Sequence, residues 1–138
     1  MDDLVQWLHA QINEDERIAR EAGGAAWEEL PVSGWVHTSA LPDTEWQPPG
    51  YDHHVASAPL PVDRAHIVAH DPARVLREID TKRKTVALCE PPLLDVTGPG
   101  DAEKSFVPGE GPPWGLDVLK LLALPYADRP GYQESWRP

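Results

Sequence analysis

His66 and His70 stand four residues apart within AHIVAHDPARVLREIDTKRK, residues 65–84. On one helix face, two imidazoles at that spacing can grip a zinc, nickel or copper ion. A third ligand would have to come from His53, His54, Asp63, Asp71 or Cys89. With it, the chemistry would be that of a metal-dependent enzyme. No HExxH pattern accompanies the pair to supply a general base, and neighbours on any helix face share the spacing. His53 and His54 are consecutive in a proline-rich loop, so their side chains point apart and do not readily share one ion. The metal set is therefore assigned as empty, with His66, His70, His53 and His54 as the residues to inspect.

The other chemistry-bearing residues converge no better. Cys89 could be a nucleophile beside a histidine, but it ends an amphipathic run, where the negative end of a helix dipole disfavours a thiolate. Burial as a small apolar residue is expected. GPGDAEKS, residues 98–105, lacks the GxxxxGK[ST] spacing of a phosphate loop. No catalytic residue and no cofactor site is assigned. Six tryptophans accompany a single phenylalanine, which makes them core and loop anchors rather than a stacking platform. Trp46 and Trp114 lie in proline-rich loops and are the two partner-binding candidates.

The elements that must position these residues follow from periodicity. Leu4, Val5, Leu8, Ile12 and Ala19 predict a first helix over 3–22, capped by Asp3 with Gln6 three residues on, and stopped by Gly23-Gly24. AAWEEL and SGWVHTS predict two short antiparallel strands, and HVASA (54–58) a third. DRAHIVAH (63–70) predicts a short helix capped by Asp63. Asp71-Pro72 breaks it and starts a long helix running to Cys89, with Val75, Leu76, Ile79 and Val86 inward. Residues 90–114 are crowded with proline and glycine and predict a long loop. LDVLKLLAL (116–124) predicts an apolar helix stopped by Pro125. Tyr126, Tyr132 and Trp136 then anchor an extended tail, 125–138.

The charge of −11 is uneven. Residues 1–30 carry a net −6, 31–64 a net −3, 65–90 a net +1 and 91–138 a net −3. No segment is basic enough to neutralise phosphates, so no nucleic-acid surface and no anionic membrane surface is expected. One cysteine allows no intrachain disulfide, and the acidic start Met1-Asp2-Asp3 is no signal peptide. No apolar run reaches the roughly 18 residues of a membrane span. A cytoplasmic location is expected.

DDLVQWLHAQINEDERIAR, AHIVAHDPARVLREIDTKRK and LKLLALPYADRPGYQESWRP together resemble a family of small uncharacterised proteins of Streptomyces, related actinobacteria and their phages. The resemblance covers about half of the chain, in three blocks in order. It implies a domain of unknown function in a cytoplasmic, often phage-associated setting. Many relatives carry a Cys-x-x-Cys and a further cysteine after the long helix, with a histidine at its end, a set that looks like a zinc site. Here that stretch has no cysteine, and Cys89 stands about where the histidine would be, which implies that zinc has been lost.

The expected architecture is a single α+β domain over 1–138. Two main helices pack on a small antiparallel sheet, followed by a short C-terminal helix and a proline/aromatic tail. The expected function is that of a non-enzymatic protein-binding or accessory protein with a protein partner. The alternatives are the His66/His70 metal enzyme and an acidic inhibitor mimicking nucleic acid.

Overall fold

The computed structural model describes residues 1–30, 34–38 and 54–138. The architecture is α+β. It comprises α1 (Asp2–Glu21), β1 (Trp27–Leu30), β2 (Trp35–Thr38), β3 (His54–Ser57), α2 (Pro61–Ala69), α3 (Pro72–Cys89), β4 (Leu93–Asp95), β5 (Phe106–Pro108) and α4 (Gly115–Ala123). Two compact units divide it: residues 13–80 form one, and residues 1–12 with 81–138 the other.

In the 13–80 unit, β1, β2 and β3 form one antiparallel sheet in that order. Trp27 pairs with Thr38 and Leu30 with Trp35, while an irregularity between Val36 and His37 shifts the β2–β3 register. Val36 is wholly buried, as are nearly all of Ala19, Ala58 and Ile79. Helix α1 ends here as its glycines require. Gly24 N–H donates to Ala19 O and Gly23 N–H to Arg20 O, both at 3.0 Å, the paired bonds of a Schellman cap. Gly23 takes a φ of +99°, open to glycine at no steric cost.

Asp71 does what its position before Pro72 predicts. One carboxylate oxygen accepts Arg74 N–H at 2.7 Å, capping α3. The other accepts Trp27 N–H from β1 at 3.2 Å. Helix α2 starts at Pro61 rather than at 63. Its N-cap is Leu60 with no side-chain bond, and Asp63 falls inside the first turn instead of capping it. The rigid φ of proline at the first helical position makes the earlier start favourable. Asp3 likewise lies within the first turn of α1, beside Asp2, where both carboxylates face the positive end of the helix dipole.

In the other unit, Leu4, Leu8 and Ile12 recur every fourth residue along α1 and are buried, together with Val86, Cys89, Leu119 and Ala123. Gly115 opens α4 in close contact with α3: a Cβ there would lie 2.6 Å from Cys89 O. The expected 90–114 loop holds an antiparallel hairpin, β4 with β5, pairing Leu93 with Pro108 and Asp95 with Phe106. Strands of three residues bounded by proline leave too short an alternation to register as periodicity. Pro125 sits in a 3₁₀ turn, Leu124–Tyr126, that continues α4 rather than ending it abruptly.

Candidate functional site

The histidine pair lies at the end of α2. His70 occupies the C-cap, and its ring packs on that of His66 with centroids 4.4 Å apart. Its Nδ1 lies 2.8 Å from His66 O, so the Nδ1–H tautomer donates to a carbonyl that the helix end would leave open. The spacing thus serves the helix end, and both residues are exposed. Of the proposed third ligands in this unit, Asp71 has both oxygens engaged in the cap and the β1 bond. Among the described residues, no three His, Cys, Asp or Glu side chains gather into a metal-holding group. His53 and Trp46 lie outside the described residues. His54 is in β3, its side chain undescribed.

Cys89 is fully buried. Desolvation first, and the neighbouring Glu90 second, push its thiol above the ordinary range, so at neutral pH it is a protonated, apolar filler. A cleft of about 150 Å³ lined by Met1, Asp2, Val5, Gln6, Glu90 and Pro91 is smaller than ordinary ligand pockets, which begin near ~300 Å³.

Two side-chain clusters stand out, and the first of them escapes the sequence patterns. In the 13–80 unit, Arg64 is only 5% exposed. Its Nε donates to Glu29 at 2.9 Å, and its Nη1 to the carbonyls of Ala58 at 2.7 Å and Pro59 at 3.0 Å. A charged residue on a short helix reads as surface unless its distant partners are known. In the other unit, Trp7 gathers Tyr126, Tyr132 and Trp136 with ring centroids 6.4, 5.7 and 5.3 Å away. Its Nε1–H donates to Pro130 O at 3.1 Å. Lys82 Nζ donates to Tyr126 Oη at 2.6 Å, and the Arg129 guanidinium lies 4.7 Å above that ring. These contacts anchor the tail through the three aromatics that the sequence singled out.

Apolar side chains in the same unit remain in solvent. Leu93 and Phe106 of the hairpin are 69% and 51% exposed, and Leu121 of α4 is 57% exposed. Trp114, at the N-cap of α4 with no side-chain cap bond, is exposed as expected. Helix α4 buries Leu119 and Ala123 and leaves Leu121 exposed, as is Leu124 in the 3₁₀ turn that follows. On α1, the acids Glu14, Glu16 and Glu21 pair with Arg17 and Arg20 at 2.7 Å, which dilutes the negative field of that helix. No helix among the described residues is long and apolar enough to cross a membrane.

A family model described as "Family of unknown function (DUF6221)" matches residues 1–138. No curated protein and no solved structure matches the chain.

Proposed function

The chain belongs to the DUF6221 family, and we propose that it acts as a non-enzymatic protein-binding or accessory protein. The observation that supports this reading is the exposed apolar surface of the unit formed by residues 1–12 and 81–138. Scattered single exposures are ordinary, but both strands of one hairpin and the outer side of one helix are apolar here. Exposed aromatic and aliphatic anchors of this kind are what a protein partner desolvates. The three sequence blocks resemble proteins of actinobacteria and their phages, and a cytoplasmic accessory role in that setting is part of the reading.

The test is affinity capture from an actinobacterial lysate with the parent chain and with a Leu121→Lys/Leu124→Lys variant. Both positions are exposed, so the variant is expected to keep its melting temperature. A protein recovered repeatedly by the parent and lost from the variant is the expected result. Repeated recovery of nothing, or of the same proteins by both, refutes the reading.

A further inference from the structure

We propose that the outer edge of β4 receives an extended, Lys/Arg-bearing apolar segment of a protein partner as a third strand. This rests on the protein-binding reading and names the chemistry of the partner.

Two hydrogen bonds fix the phase of the hairpin. Val96 N–H donates to Ser105 O at 2.9 Å, and Gly109 N–H to Pro92 O at 2.7 Å. In an antiparallel ladder such pairs alternate with pairs whose backbone groups turn away. The main chain of residues 92, 94 and 96 therefore faces β5, and that of Leu93 and Asp95 faces outward. Among the described residues, nothing pairs with those two N–H and two C=O groups. The other edge is poorer, because its outward residues are Phe106 and Pro108 and proline has no N–H to offer.

The strand that binds must also cover apolar surface. Leu93 and Leu94 point to opposite faces and are 69% and 49% exposed, and Val107 is 42% exposed. Both faces of the hairpin are thus open, and a two-stranded hairpin without cover is marginal in water. Adding a strand supplies ladder bonds and cover together.

Charge selects the occupant. Residues 90–110 hold Glu90, Asp95, Asp101, Glu103 and Glu110 against Lys104 alone. Asp95 lies 4.0 Å from Lys104 Nζ, and the Asp101 carboxylate accepts Gly98 N–H at 2.8 Å, so the lysine offsets little of the field. A strand alternating lysine with valine complements this hairpin. An acidic strand, or a second copy of a chain of net charge −11, is repelled by it.

The experiment titrates the full-length, ¹⁵N-labelled chain with a short end-blocked Lys-Val repeat peptide. The controls are its Glu-Val counterpart and a Lys-Val peptide N-methylated at alternate residues. The expected result is amide shifts centred on Leu93 and Asp95, with either control bound about tenfold more weakly, roughly one logarithmic step in Kd. Leu93→Pro removes the outward N–H without touching the ladder to β5 and is expected to weaken binding similarly. Glu103→Lys/Glu110→Lys, at exposed sites, is expected to reduce the preference for the basic peptide without loss of fold. Equal binding of the N-methylated or Glu-Val peptide overturns the proposal, as does absence of binding. Shifts confined to α4 around Leu121 overturn it while leaving the protein-binding reading intact. A dimer that Leu93→Pro abolishes would make a second copy the occupant and overturn it too. Loss of the protein-binding reading is detected separately, by the Leu121→Lys/Leu124→Lys capture.

Discussion

Replacing Arg64 by methionine isolates a charged residue that the interior of the 13–80 unit depends on. The substitution keeps an unbranched stem of similar length and deletes three hydrogen bonds, to Glu29, Ala58 O and Pro59 O. Ala58 is buried, so its carbonyl is left without a partner, at a cost of about 1–3 kcal/mol. The Pro59 bond is only partly buried and water can replace it at small cost. The Glu29 side chain is 30% exposed and regains hydration, so its ion pair adds less than about 1 kcal/mol. The expected loss is about 1–4 kcal/mol. Urea unfolding monitored by tryptophan fluorescence measures it. With an m-value near ~2 kcal/mol/M, the midpoint falls by about 0.5–2 M at unchanged m. Arg64→Lys keeps the charge but not the planar group whose Nε reaches Glu29 while its Nη1 reaches both carbonyls, and is expected to recover about half of the loss. A methionine variant within about 0.5 kcal/mol of the parent, or full recovery by lysine, refutes the reasoning.

The remaining expectations concern single contacts. Asp71→Ala uncaps α3 and orphans Trp27 N–H, costing about 2–3 kcal/mol in the same assay, and Asp71→Asn recovers part of it. Gly115→Ala drives a methyl toward Cys89 O, and a backbone oxygen cannot yield as a flexible side-chain tip would. A loss of about 1–3 kcal/mol is expected, and a neutral melting temperature disproves the close packing. The raised Cys89 thiol supports the fold fully below its ordinary pKa near ~8.5, and that contribution is lost as pH rises through the higher folded value. Cys89→Ala should flatten this alkaline fall, and maleimide should label the native thiol far more slowly than the urea-unfolded one. Asp95 has the opposite sign. Thr97 Oγ1–H first, and Thr97 N–H second, hold its carboxyl below the ordinary range, so this local support is present at neutral pH and lost on acidification. The Thr97 amide resonance should stay fixed through the usual aspartate range and move only below it.

What could be read from sequence was local. Asp71-Pro72 and Gly23-Gly24 each state their conformation within a few residues, and both perform it. SGWVHTS marks β2 by its β-forming residues after Gly34, and the tail aromatics declare themselves by size among prolines. Arg64 was invisible because its worth lies in Glu29, 35 residues away, and in carbonyls whose direction no residue type encodes. The β4–β5 hairpin was hidden by the prolines at 91, 92 and 108, which read as loop although Pro91 and Pro92 stand before β4 begins and Pro108 turns its missing N–H away from β4. For the histidines, the spacing was legible and its use was not, because the choice between a metal and the His66 carbonyl depends on where α2 ends.

The two oxygens of Asp71 have a kinetic consequence. One holds the first turn of α3 and the other holds the first residue of β1, 44 residues earlier in the chain. Helix nucleation is costly alone, and so is closing a long loop. A carboxylate shared between the two events lets each lower the barrier of the other. Strand β1 cannot detach without weakening the end from which α3 starts. Asp71→Ala is therefore expected to slow folding more than it speeds unfolding, which the two limbs of a urea chevron measure.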